Sequence, residues 1–300
     1  NDNARVRSTA TGILPNRGNK TPPILGDPSL SSRDPHRATP RANAKRQLQY
    51  PYQIAQLARD FRLSAIIGRP LDAGLLLAEA IVRSLGTIAA AAMTSAKSEQ
   101  LASTLKHFPR GGISMGRWLS ILRGAQGASA LLAYPELDGV HFTKHGVGAL
   151  LNQCVEIRNR RAHASGVKTP AEEDEMLEEL KPVLNEILDR STWLSQYEFL
   201  SVESCNYVRA RHEVKARRIN GSHPDWEPIV VPVSEPVEPN HLYLDTPTTS
   251  SLLSLHPFAL VKFCPKCKGN ELFVLDRIRN GDTGVAKSLK DCEVGVVLST

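Results

Sequence analysis

The sequence predicts an α+β fold, an all-α helical bundle followed by a small β-rich domain, on three observations. Apolar residues recur with a helical period from Tyr50 to Leu200. Past Tyr197 the period becomes two-fold, in short runs separated by Pro, Gly, Asn and Asp. Before Tyr50 neither period is present. Residues 1–49 hold nine Lys or Arg against three Asp and almost no aromatic residues, whereas the other 251 residues balance at 28 basic and 28 acidic. The formal charge of +6 therefore belongs to the tail and does not mark the folded part as a nucleic-acid binder. Such a tail buries too little surface to offset its ordering entropy and is expected to be disordered. A nucleic-acid contact and a targeting segment are the alternatives for it. The expected boundaries are a basic tail over 1–49, a helical domain over 50–198 and a small β-rich domain over 199–300. The last expected strand, 294–298, meets the end of the chain without a closing turn, so that domain is expected to be cut short.

Each helix has its own signal. Ile54, Leu57, Ala58 and Phe61 fall at i, i+3, i+4 and i+7, and Leu75 to Ala92 is apolar around most of a helix. Asp72, Glu79, Arg83 and two glycines interrupt the apolar stretch from Leu71 to Met93. Each central charge costs about 2.5 to 3.5 kcal/mol at mid-bilayer, so a buried helix is expected and no membrane contact. Glu79 and Arg83 stand at i, i+4 as a structural pair or as partners of the site below. A short helix is expected over 98–108, capped by Ser98, then a break at Pro109 to Gly112 and a helix from Ser114 to Gly124 around Trp118. A long helix should begin at Lys144, carrying Val147, Leu151, Cys154 and Ile157, and stop at Gly166. The last helix opens after Thr169-Pro170 with four acids, suited to a positive helix N-terminus, and Pro182 should kink it.

The strands are expected over 199–208, 214–219, 229–233, 241–244, 252–255, 259–263, 272–275 and 294–298. Six prolines between Pro224 and Pro247 should confine the strands of that stretch to edges or irregular pairing. Five cysteines without a common spacing argue against a disulfide framework and for a reducing compartment, hence a cytoplasmic protein.

Chemistry concentrates at two places. The long helix ends in Glu156-Ile157-Arg158-Asn159-Arg160-Arg161-Ala162-His163, a polar cluster directly after an apolar face. A guanidinium offers a fixed charge and a fork for phosphate, and a His donates or accepts a proton near neutrality. Together they suffice for metal-free cleavage of RNA by its own 2′-hydroxyl. Five positions on a regular helix separate Arg158 from His163 by about 140°, so they converge only if the helix end unwinds or two chains meet. The bland alternative is a solvated helix end whose cations suit the dipole. The second place is Cys264-Pro265-Lys266-Cys267 between two strands, the shape of a zinc knuckle. It supplies two of four ligands. Cys292 and His256 are candidates to complete the set, a reduced structural pair is the alternative, and a redox role lacks its βαβ context. There is no Walker loop, dinucleotide turn, G-x-S-x-G or H-E-x-x-H.

Arg158-Asn159-x-x-x-His163 at the end of a long helix resembles the signature of the HEPN superfamily. The helical block and the segment from Leu255-His256-Pro257-Phe258 to Cys264-Pro265-Lys266-Cys267 resemble the amino-terminal region of large bacterial HEPN-containing proteins. The resemblance covers about residues 50–300. It implies a dimer that brings two Arg and His pairs to a shared cleft, and a role in phage defence, toxin action or signalling with an effector domain or partner. As a metal-independent endoribonuclease the chain would use His163 as acid or base, Arg158 on the phosphate and Asn159 to orient one of them, with Arg160 and Arg161 along the RNA. Many HEPN proteins bind RNA or partners without cleavage, so a non-catalytic sensing or scaffolding region stands as the other reading. Some members carry a Tyr two residues after the His, where Ser165 stands here. No cofactor is expected beyond structural zinc.

Overall fold

The computed structural model describes residues 49–95, 108, 111–126, 131, 134–138, 140–144, 146–163, 169–249, 251–280 and 283–298. The expected tail and nearly all of the expected helix over 98–108 lie outside these residues. The described helices are α1 (Tyr52–Ile67), α2 (Pro70–Ser95), α3 (Met115–Ala125), α4 (Pro135–Asp138), α5 (Val147–His163) and α6 (Pro170–Arg190), then a 3-10 turn at Thr192–Gln196. Nine strands follow: β1 (Glu198–Val208), β2 (Arg211–Arg218), β3 (Glu227–Val233), β4 (Leu242–Asp245), β5 (Leu253–Ser254), β6 (Ala259–Cys264), β7 (Gly269–Asn280), β8 (Thr283–Lys287) and β9 (Glu293–Val297). The fold is α+β.

Local chemistry sets the helix ends. Gly68 closes α1 at φ 83°, a left-handed cap that costs glycine nothing, and its N–H reaches Ser64 O at 3.0 Å. Ser114 Oγ caps α3 by accepting from Arg117 N. Thr169 and Glu172 form a reciprocal capping box at the start of α6. That helix continues through Pro182 to Arg190 as one element. By length and composition α2 could cross a membrane, but 83% of its most apolar stretch is buried within this fold. It packs against α1, α3, α5 and α6. Gly86 lets α3 approach it closely, because a Cβ there would lie 2.6 Å from Trp118 Cε3. The long helix begins at Val147, three residues later than its apolar pattern suggests, because Gly146 N first closes a turn on Thr143 O at 2.8 Å.

The strands form two antiparallel sheets, in the orders β3-β2-β1-β4-β5 and β6-β7-β8-β9. Pro228 and Pro232 lie in β3, at an edge, where a missing N–H costs no ladder bond. The other strand of the proline-rich stretch, β4, is internal, contrary to its expected edge or irregular pairing. Its four residues, Leu242-Tyr243-Leu244-Asp245, fall between the prolines. The sequence reading also missed β8, whose Thr-Gly-Val-Ala-Lys has only two large apolar or branched residues but pairs on both sides.

One core joins helices and sheets. Ile88, Trp118, Leu151 and Leu184 share it with Leu244, Phe258, Phe273 and Leu275. Alternation along β1 sends Phe199 into this core and Leu200 and Val202 into a smaller cluster with Val214, Ala216 and Tyr243. Polar anchors hold the start of α1 to the segment just after β2 and to α6, and tie that segment to Tyr197 before β1. Tyr52 N donates to Ile219 O at 3.2 Å, Asn220 Nδ2 donates to Tyr197 O at 2.9 Å, and Tyr50 Oη donates to Leu188 O at 2.8 Å.

Candidate functional site

The motif end of α5 meets α1, α2 and the first turn of α6 around a groove of about 880 Å³. Arg158 is half-buried and lines this groove. It also lines a neighbouring cavity of about 440 Å³, which is walled further by Arg83, Ser114, Asp276 and Lys287. Glu79 borders both spaces, so Arg158 and Glu79 stand on the wall between them. Among the described residues Arg158 has no ion-pair partner.

The two following arginines are placed differently. Arg161 bridges Asp72 of α2 and Glu173 of α6, the latter at 3.4 Å, and Arg160 pairs with Glu179 of α6. The half-buried Asn159 lines neither space. His163 closes α5, and its side chain lies outside the described residues, as do Ser165 and Gly166. The groove is not a basic patch. Arg69, Arg158 and Arg161 face Asp60, Asp72, Glu79 and Glu173, three cations against four carboxylates.

The Glu79–Arg83 pair forms at 3.1 Å, and Arg83 continues to the buried carboxylate of Asp276 on β7 at 3.7 Å. Arg277 and Lys287 approach the same carboxylate at 3.1 and 3.9 Å. The Glu79–Arg83 pair is legible in the sequence, but its continuation to Asp276 is not. Asp276 interrupts the apolar run Leu272 to Leu275, and a charge at the end of such a run is the only signal it leaves.

The second sheet holds a sulfur cluster. The Sγ atoms of Cys264, Cys267 and Cys292 lie within 4.8 Å of one another, with Cys267 and Cys292 at 3.4 Å, and could hold a metal ion. Three zinc-bound thiolates at about 2.3 Å from the ion stand about 3.8 Å apart in a tetrahedron, so the observed spread fits. The turn from β6 to β7 presents the first two thiols. Cys267 N donates to Cys264 Sγ at 3.4 Å, and Lys268 takes a left-handed φ of 55° before β7 begins. That backbone donor holds the Cys264 thiol below its ordinary range, while hydrogen bonding to Cys292 pushes the Cys267 thiol up to about 12. The turn between β8 and β9 delivers Cys292, whose N–H donates to Ser288 Oγ at 3.3 Å. Cys154 is a core thiol pushed up to about 12 by burial.

His256, the expected fourth ligand, is elsewhere. Its ring stacks on His241 with centroids 4.3 Å apart and planes 6° apart, and it is not part of the sulfur cluster. Burial and then the neighbouring His241 lower its pKa, with Lys262 adding to this and Glu238 and the Val297 backbone opposing. A lowered imidazole pKa gives stability that is present above the unfolded value near 6.5 and lost as pH falls through the folded one. The melting temperature should therefore drop between pH 7 and pH 5, with part of the slope removed in His256→Asn. An unchanged slope in the variant would show that the stack does not carry it.

No family model, no curated protein and no solved structure matches the chain.

Proposed function

We propose that the chain is a HEPN-like scaffolding module, held in its second sheet by a zinc knuckle, that presents an effector in bacterial defence or signalling rather than cutting RNA. The observation that carries this reading is the engagement of Arg160 and Arg161 in ion pairs with Glu179, Asp72 and Glu173. The two cations that would follow an RNA backbone instead brace α5 against α2 and α6. The groove beside them sets four carboxylates against three arginines on its own lining, so it presents no continuous basic track for a phosphate chain. Zinc on Cys264, Cys267 and Cys292 would join the β6–β7 turn to the β8–β9 turn. Reduced thiols of this kind fit a cytoplasmic protein. The scaffold acts as a homodimer, the form the family resemblance implies.

The position of Arg158 favours a second reading. It lines the groove without an ion-pair partner among the described residues, which suits a phosphate ligand in a metal-independent endoribonuclease with His163 as acid or base and Asn159 as orienting residue. The purified chain should be incubated with total RNA, without added divalent ions, beside Arg158→Ala and His163→Ala, and sedimented in parallel. A dimer that leaves RNA intact is expected. RNA loss in the wild type that both substitutions abolish would replace the scaffold by the enzyme, and a monomer at every concentration would remove the shared scaffold. Zinc content near one ion per chain, lost in Cys264→Ser, is the expected result for the knuckle.

A further inference from the structure

We infer that the metal centre on Cys264, Cys267 and Cys292 keeps one coordination position open to the cavity beside Cys267, and that a small thiol binds there as its thiolate. The inference rests on the zinc reading above and extends it from a staple to a ligand site. Zinc takes four donors, and a site with three protein ligands keeps an exchangeable fourth place. Among the described residues three sulfurs converge and no fourth His, Cys, Asp or Glu donor joins them. The buried Glu271 carboxylate, which lines the same cavity as Cys267, is bound by Lys290, and His256 lies outside the cluster, stacked on His241.

The direction of access follows from burial. Cys264 and Cys292 are 2% and 6% exposed, whereas Cys267 is half-buried and lines a cavity of about 760 Å³ together with Trp226, Glu271 and Lys290. A fourth donor therefore arrives past Cys267. The cavity has room for a small organic molecule, and Trp226 offers it an apolar wall. Three thiolates make the ion soft, which selects sulfur over water. A fourth thiolate brings the centre to a charge of −2, and because Arg217 and Lys290 on the cavity wall stand against Glu203, Asp225 and Glu271, binding rests on the zinc–sulfur bond rather than on charge. In the exchange a zinc–sulfur bond forms, water leaves, and the thiol proton passes to solvent. No electron is transferred.

The test uses the full chain loaded with zinc, and separately with cobalt, then freed of excess metal by gel filtration. Zinc-edge X-ray absorption should count three sulfurs and one light donor. Addition of 2-mercaptoethanol should convert this to four sulfurs, and the thiolate-to-cobalt absorption should grow by about a third, in proportion to three sulfurs becoming four. Cys154→Ser and Cys205→Ser, outside the cluster, should respond like the wild type. A chain that keeps its zinc but shows no change with thiol, or that already has four fixed protein donors, overturns the open position and leaves the zinc reading standing. A chain that retains no zinc, or retains it equally in Cys264→Ser, Cys267→Ser and Cys292→Ser, overturns both.

Discussion

Asp276→Ala should lower the unfolding free energy by about 3–5 kcal/mol, the usual cost of removing one member of a buried charge cluster. The carboxylate is 4% exposed and has Arg83, Arg277 and Lys287 around it. Its own backbone carbonyl accepts from Ile113 N at 2.8 Å, just before α3. One residue of β7 thus neutralises a cation from α2 and anchors the chain leading into α3. Alanine removes the carboxylate that the three cations share and leaves Arg83 only Glu79, and Arg277 and Lys287 only Glu293, as counter-charges. Asp276→Asn keeps an acceptor for Arg277 and should recover part of the loss. Urea unfolding followed by far-ultraviolet circular dichroism measures both variants, and a loss under 1 kcal/mol for alanine would mean that water screens the cluster.

Trp118→Ala should cost a similar about 3–5 kcal/mol by opening a cavity in the core. The side chain is fully buried and meets Phe108 edge-on, with centroids 5.1 Å apart and planes at 86°. It lies against Gly86 of α2, so no side chain there can swing in to fill the void. Trp118→Phe should lose distinctly less, because the indole N–H is buried without a hydrogen-bond acceptor among the described residues and its removal relieves an unsatisfied donor. Filling from the other side should also hurt. Gly86→Val forces a branched side chain against the ring at about 1–3 kcal/mol. Thermal melts of the three variants give the order, and equal losses for Ala and Phe at position 118 would show that the ring's fit, rather than its volume, sets the cost.

The helices were legible because burial on one side repeats every 3.6 residues whatever the partner. The pattern Ile54, Leu57, Ala58, Phe61 marks α1, and Thr169-Pro170 with its acids marks the start of α6. β8 was not legible, because its stability comes from ladders to β7 and β9 rather than from its own short and weakly apolar run. The same difference divides the two sites. Cys264 and Cys267 are three apart in the chain, and that spacing alone presents two ligands on a turn. Cys292 lies 25 residues further on, and only the pairing of β8 with both neighbours carries it to 3.4 Å from Cys267. His256 is nearer in sequence to Cys264 but is directed to His241.

By itself the sequence determined the change from helical to two-fold period near Tyr197, the helix that carries Arg158 to His163, and the pair Cys264 and Cys267. These follow from intervals of a few residues, over which backbone geometry dictates which side chains share a face. Only the tertiary structure decided that Arg160 and Arg161 brace α5 against its neighbours while Arg158 borders two cavities. It alone placed Asp276 under Arg83 and brought a third sulfur to the first two. The reason is that a charge or a thiol is stabilised by whichever complementary group the packed core brings near. That choice depends on the approach of elements far apart in the chain and leaves no period in the sequence.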